Sequence, residues 1–492
     1  MAQRSGRWRR RIPGFRNHDE EERYESADIA AIYQRAAHQD LSTRNPVIVI
    51  PGVMGSKLVA SESTRSLWGD FRKGARPDSS DEARLIALPM ERGRPLHLLH
   101  SLSESDGTLG QIKSKVAGIS IRLSFYSDVL SALGVGSYGG SHSVRSKHIP
   151  DYHREEGASV AFEFSYDWRR SLDESAARLQ QFITQATRFI QLQLGNSDPI
   201  KFDIVAHSMG GLVLRYFLQY GGQLLPYDGS LPRLNWVGAE MIETAIIVGT
   251  PNGGSIKVLD RLVFGLSKNP VLPSFDPLLL GTMPSLYQLL PRTRHKPIVQ
   301  SEGQGPTDLL NPEFWLWMQW GLANKAKDAE LARHLPGVAS ASERRDIAID
   351  HLNKCLTNAR VFHAAMDAVA PSRPSHLHLH LIAGDAKRTP SHISAARGDR
   401  KLQYVRFGPG DGTVLRSSAL LDERVGSEWN PRLVSPLQWD SVMFLPSSHM
   451  GLTRDPVFIN NVLYLLLERP REKTASAHSE RPRQRAQANI RG

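Results

Sequence analysis

The sequence predicts an α/β protein built on a mostly parallel, doubly wound sheet, and three observations predict it. Short apolar runs alternate along the chain with helical stretches of period 3.6. Two of those runs, Pro46–Ile50 and Thr244–Gly249, are apolar nearly throughout instead of alternating with polar residues. A strand reads that way when both its faces are covered, as in a parallel sheet flanked by helices. A third run, Lys201–Ala206, passes through a tight turn of small residues directly into a helix.

Taken in order, residues 1–44 lack strand periodicity, apart from a short helix expected over Ala30–Ala37, and read as a disordered tail. The folded body is expected over residues 45–468, beginning with the Pro46–Ile50 strand. Residues 60–155 are irregular and read as loops or a small lid. Ala158–Phe164 is the next strand. A long helix follows, with Ser171 and Glu174 at capping-box spacing. Its apolar stripe runs through Leu172, Ala176, Leu179, Ile183, Ala186 and Ile190 to a glycine stop at Gly195. After the Lys201–Ala206 strand, a helix over Gly210–Tyr220 ends at Gly221-Gly222. The stretch 255–374 interrupts the alternation and reads as an inserted cap. Leu377–Ala383 and Ser441–Leu445 are late strands, and Asp455-Pro456 opens a closing helix with an Asp cap and proline at the first helical position. Residues 469–492 form a basic tail.

Composition narrows the function classes. The chain has 492 residues and a net charge of +11, with one cysteine, Cys355. No intramolecular disulfide can form, which suits a reducing compartment, and a cytoplasmic location is expected. The N-terminus is polar and Arg-rich, unlike a secretory leader, and no apolar run approaches membrane-span length. The two ends carry much of the charge. Residues 1–44 hold nine Arg against seven acids, and residues 469–492 hold seven Lys/Arg against two acids. Solvated tails account for this, and weak attraction to anionic headgroups, as a peripheral membrane contact, is the sharper alternative. No nucleic-acid-binding fold motif accompanies the charge, so no nucleic-acid partner is expected. Oligomeric state is not legible. No Walker-type or Rossmann glycine loop appears, so no cofactor is expected.

The chemistry concentrates at Ser208. The segment Phe202–Gly211 runs strand, turn, helix, with Ser208 at the apex of Ala206-His207-Ser208-Met209-Gly210. Such an elbow thrusts a serine hydroxyl from the top of a sheet, and the small flanking residues let strand and helix approach. A serine hydroxyl is a weak nucleophile at neutral pH and needs a base, which a carboxylate orients. Asp411, in Gly410-Asp411-Gly412-Thr413-Val414, and His449, in a loop after the last strand, follow in the order Ser, Asp, His. Two backbone amides should meet the developing oxyanion: Met209, after the nucleophile, and Val53, in the loop Pro51-Gly52-Val53-Met54-Gly55-Ser56.

With these motifs placed, the sequence resembles the lecithin:cholesterol acyltransferase family, within the α/β-hydrolases. The matching pieces are Pro46–Leu58, Ser165–Arg169 (SYDWR), Asp203–Tyr216, Gly249–Ser255 (GTPNGGS), Gly410–Val414 and the late His449. The resemblance implies an α/β-hydrolase fold with a cap and lid, a Ser208, Asp411, His449 triad, and oxyanion donors at Val53 and Met209. It implies serine-dependent O-acyl transfer on lipid or other acyl esters through an acyl-enzyme. Hydrolysis, as in a lipase, phospholipase or carboxylesterase, is the first alternative. A catalytically silent scaffold is the alternative of another class. The chain departs from secreted members, which carry disulfides, and from membrane-anchored ones, which carry a spanning helix.

Three further features have bland and sharp readings. Trp68 is a candidate substrate contact beside the lid, or a core residue. Trp315, Trp317 and Trp320 pack the cap, with a lipid-facing patch as the alternative. His376, His378 and His380 alternate along a strand and share one face. With no Cys or carboxylate cluster to complete a ligand set, no metal site is expected.

Overall fold

The computed structural model describes residues 44–63, 65–69, 85–109, 111–116, 119–124, 161–195, 197–266, 275–299, 308–369 and 371–470. The helix expected over Ala30–Ala37, most of both tails and much of the lid lie outside them.

Thirteen strands are described: β1 (Val47–Ile50), β2 (Ser56–Ala60), β3 (Ser66–Trp68), β4 (Ser103–Thr108), β5 (Gln111–Val116), β6 (Ile119–Ser124), β7 (Ala161–Glu163), β8 (Phe202–His207), β9 (Ile242–Val248), β10 (His378–Gly384), β11 (Lys387–Ser394), β12 (Gln403–Gly410) and β13 (Ser441–Leu445). Six of them form the central sheet in the order β13-β10-β9-β8-β1-β7, and every pairing is parallel. The apolar run at β1 has a direct cause. Ile48 and Ile50 enter a core shared with the helices Leu172–Leu194 and Met209–Tyr220, while Val47 and Val49 enter a second core beneath the helix Pro456–Leu463. Both faces of the strand are buried, so neither admits a polar residue.

The segment read as irregular holds strands. β3-β2-β4 make a small antiparallel sheet, and β5 pairs with β6. β4 reads Ser-Glu-Ser-Asp-Gly-Thr, too polar for periodicity to reveal. The same holds for the antiparallel β11–β12 pair, interrupted by a register shift near His392. Between β9 and β10 lies a helical insert, ending in the long helix Ala341–Met366.

Several local readings are corrected by packing. Ser171 sits at the N-cap position of the Leu172–Leu194 helix without capping it through its side chain. Its hydroxyl donates to Asp173 and accepts from Gln288 Nε2, and Glu174 pairs with Arg170 at 2.8 Å. Gln288 Oε1 instead accepts the Leu172 amide at 2.8 Å, so a cap arrives from the helical insert. The face shared by His378 and His380 is not open, since His380 is buried and hydrogen-bonded to Ser441 Oγ at 2.7 Å. His376 bonds the Ala239 carbonyl at 3.0 Å. Among the described residues no group of three His, Cys, Asp or Glu is placed to hold a metal. Arg469, read as the start of the basic tail, docks on the sheet at Thr244 Oγ1 and Glu243. Trp315 and Trp320 are buried in the insert, and Trp317 is exposed.

A buried ion pair ties the end of the long helix Ala341–Met366 to another part of the insert. Arg292, 2 % exposed, meets Asp367 at 2.7 Å, and Arg294 meets the same carboxylate at 2.7 Å. Burial works to raise the Asp367 pKa. The two guanidiniums and their hydrogen bonds outweigh it and hold the carboxyl well below its ordinary value. Asp367→Ala leaves Arg292 buried without its partner, and a loss of about 3–5 kcal/mol in unfolding free energy is expected. Urea melts of the two proteins measure it, and an unchanged midpoint would contradict the assignment.

Among the described residues no helix is long and apolar enough to cross a membrane.

Candidate active site

The site forms at the C-terminal ends of the central strands, where an open α/β sheet leaves room for ligands. β8 ends at His207, and Ser208 begins the turn into the helix Met209–Tyr220. Ser208 has φ 55° and ψ −125°, a conformation that costs free energy for a residue with a Cβ. The surroundings hold it there. The Ser208 amide donates to the Val248 carbonyl at 2.7 Å, and Thr250 Oγ1 donates to the Ser208 carbonyl at 2.8 Å. Gly210 and Gly211, which follow Met209, have no room for a side chain. A Cβ on Gly210 would lie 2.4 Å from the Pro51 carbonyl oxygen, and one on Gly211 would lie 2.0 Å from Thr250 Oγ1.

The structure brings the three distant sequence candidates together. Ser208 Oγ lies 2.9 Å from His449 Nε2, and His449 Nδ1 lies 2.7 Å from Asp411 Oδ2. The other Asp411 oxygen, Oδ1, accepts the Thr413 and Val414 amides at 2.8 and 2.7 Å. The His449 amide donates to the Asp411 carbonyl at 2.9 Å, which locks the two loops together. Burial pushes the Asp411 pKa up. The nearby His449 and the hydrogen bonds from His449, Val414 and Thr413 together outweigh it, so the carboxyl lies below its ordinary value and stays ionised. Geometry and charge thus agree: a carboxylate, an imidazole and a hydroxyl stand in one hydrogen-bonded line.

The loop carrying Val53 abuts this line. A turn closed by Gly55 N to Gly52 O at 3.0 Å shapes it. Gly52 packs so closely that a Cβ there would lie 2.8 Å from Ser208 Cβ. Met209 is the first residue of its helix, so its amide has no acceptor within the helix.

Sequence reasoning singled out Ser165–Arg169 without giving it a task. The structure shows what these residues touch. Tyr166 Oη donates to the Pro51 carbonyl at 2.9 Å, the Tyr166 amide donates to Ser56 Oγ at 3.1 Å, and Trp168 Nε1 donates to the Ser56 carbonyl at 3.2 Å. Trp68 joins them. It is 1 % exposed, its Nε1 donates to the Met54 carbonyl at 2.8 Å, and its ring meets Trp168 edge-on. Trp68 therefore braces the Val53 loop from beneath, in the core, instead of lining an open pocket. Arg169 is fully buried, paired with Asp167 at 2.7 Å, and donates to the Ile86 carbonyl, Ser101 Oγ and Ser103 Oγ. It fastens the 85–103 segment to the same scaffold. The Gly249–Ser255 segment is also structural. Buried Asn252 accepts from Arg215 and donates to the Ala419 carbonyl, and Ser255 Oγ donates to the Thr413 carbonyl beside Asp411.

His207 was overlooked because it lies inside the elbow motif. Its Nε2 lies 3.2 Å from the His449 carbonyl oxygen, and its ring is 5.0 Å from that of His449. Burial, with the charge of His449 a lesser cause, pushes its pKa down to about 3. The ring is neutral at physiological pH, and Nε2–H donates to that carbonyl, holding the histidine loop in place.

Compared with known proteins, residues 152–311 match the model of the lecithin:cholesterol acyltransferase family. No curated protein matches the chain. Among solved structures, the crystal structure of the Tle4-Tli4 complex aligns over 85% of this chain and 97% of that chain, with a TM-score of 0.53 and 14% identity. The lipase BlEst2 of Bacillus licheniformis in mature form aligns over 87% and 94%, with a TM-score of 0.31 and 12% identity. Lipase 1 from Pelosinus fermentans aligns over 87% and 99%, with a TM-score of 0.34 and 12% identity. At 14% identity the likeness to the first of these is one of fold alone.

Proposed function

We propose that this α/β-hydrolase, matched over residues 152–311 to the lecithin:cholesterol acyltransferase family, is a serine-dependent enzyme acting on lipid esters, with Ser208 as nucleophile, His449 as base and Asp411 as the orienting carboxylate. The observation that carries this reading is the hydrogen-bonded line from Asp411 through His449 to a serine held at φ 55°. The family match supports esters of lipids as the substrate class. O-acyl transfer to a lipid alcohol is the finer proposal, and hydrolysis by water is its competitor. Lipid ester is the one partner proposed, and a reducing, cytoplasmic setting is proposed from the single, buried Cys355.

In the mechanism, His449 Nε2 takes the Ser208 proton as Oγ attacks the ester carbonyl carbon. The carbonyl oxygen becomes an oxyanion and meets the amides of Val53 and Met209. The carbon–oxygen bond to the alcohol then breaks, and the alcohol leaves with the proton from His449. Water or a second alcohol gives its proton to His449 and attacks the acyl-enzyme, releasing acid or new ester and restoring Ser208. Asp411 stays ionised throughout and stabilises the imidazolium.

The test is product analysis. A phospholipid labelled in its acyl chain is incubated with the protein, with and without a lipid alcohol. Labelled ester formed only with the alcohol supports transfer, and labelled fatty acid in both arms supports hydrolysis. No product in either arm, with no labelling of Ser208 by a fluorophosphonate, would leave the silent-scaffold reading in its place.

The oxyanion assignment has its own test. Gly52→Ala introduces a Cβ that must displace the loop or Ser208. Misplacing one donor is expected to lower kcat by roughly 10²–10³-fold. Steady-state kinetics on a soluble short-chain ester measures this, and wild-type kcat would remove the loop from the mechanism.

A further inference from the structure

The body's positive charge gathers on one hairpin. β11, β12 and the turn between them hold Lys387, Arg388, Arg397, Arg400, Lys401 and Arg406 against one acid, Asp399. All six cations are exposed. Among the described residues none of the six pairs with a carboxylate, although ion pairs are common elsewhere in the protein. Asp399 is occupied in the turn, where its Oδ2 accepts the Ala396 amide at 2.7 Å. The two acids that flank the hairpin in the chain are also occupied: Asp385 pairs with Arg416 at 3.0 Å, and Asp411 Oδ2 lies 2.7 Å from His449 Nδ1. Exposed apolar groups sit among the cations. Val405 is 46 % exposed and Phe407 38 %, and the Arg388 guanidinium lies over the Phe407 ring at 4.0 Å.

Unpaired like charges on so short a segment repel one another, and an anionic partner relieves that. A planar phosphate surface supplies many negative charges at once, and it also receives an aromatic ring and an aliphatic side chain at headgroup depth. Free small anions satisfy the charge but offer nothing to Phe407 and Val405.

We propose that the β11–β12 hairpin docks the protein onto a bilayer surface carrying anionic phospholipid. The base of the hairpin is the Asp411 turn: β12 ends at Gly410, Lys387 pairs with Gly410 and bridges to Asp411, and the Gly412 amide donates to Thr389 Oγ1 at 2.9 Å. Docking therefore joins the lipid surface to the Asp411 turn through the two strands. The inference deepens the lipid-ester reading and rests on it for its purpose, but its test needs no turnover.

The test uses full-length Ser208→Ala protein, so that nothing is consumed. It is sedimented with vesicles of phosphatidylcholine alone and of phosphatidylcholine with phosphatidylglycerol. The expected result is preferential binding to the anionic vesicles that weakens as salt rises. Reversing the turn charges with R397E, R400E and K401E together is expected to lower that binding by at least about tenfold. F407S is expected to weaken it further than salt alone does. Thermal unfolding checks that the variants fold, and neutralisation with R397Q, R400Q and K401Q gives a milder change that must follow the same direction. Equal binding to both vesicle types, binding by the triple variants at the wild-type level, or binding of duplex DNA without binding of vesicles would overturn the proposal. Ester turnover, assayed separately on Ser208 protein, distinguishes failure of the docking from failure of the functional reading.

Discussion

Ser208→Ala is expected to lower kcat on a soluble ester by about 10⁶-fold, with KM little changed. The substitution removes one oxygen and leaves the fold almost untouched, because the backbone strain at residue 208 is held by Val248, Thr250 and the helix, none of which touches the hydroxyl. Donors for the oxyanion would remain, so a residual acceleration of about 10³–10⁴ over water is expected. Fluorophosphonate labelling should vanish with the hydroxyl. Retention of full activity in the alanine protein would dismiss the proposed nucleophile outright.

Asp411→Asn should cost about 10⁴-fold in kcat, and the structure says why the loss would be so large for so small a change. Oδ1 accepts two backbone amides, so the asparagine must keep its oxygen there. Its amide nitrogen then occupies the Oδ2 position and points its hydrogens at His449 Nδ1. To accept that bond, the imidazole must carry its own proton on Nε2, facing Ser208. In that tautomer it cannot receive the serine proton. Rates across pH and a thermal melt check the argument: activity should fall while the unfolding temperature stays near that of the parent. A variant with parental kcat would refute the orienting role.

Part of this protein was legible from local pattern. Both faces of β1, and of β9 beyond Glu243, are buried, and this leaves an apolar run that reads directly as a parallel strand. The Ser208 elbow and the Asp411 turn were legible because each is a short, self-contained piece of backbone chemistry. His449 was legible through its place in the chain order. Where polar residues make strands, as in β4 and β12, period and composition gave no signal.

The sequence by itself determined the buried parallel strands, the helices that follow them and the three side chains proposed to carry the chemistry, since propensity, burial period and turn geometry act over a few residues. Only the tertiary structure decided that Gln288, and not the local Ser171, accepts the Leu172 amide. It alone set Tyr166, Trp168 and Trp68 under the Val53 loop, and His207 against the His449 carbonyl. It also set the base of the cationic hairpin, at Lys387, against the Asp411 turn. Such contacts join residues far apart in the chain, and their free energy depends on how the layers pack, which no local window of sequence contains.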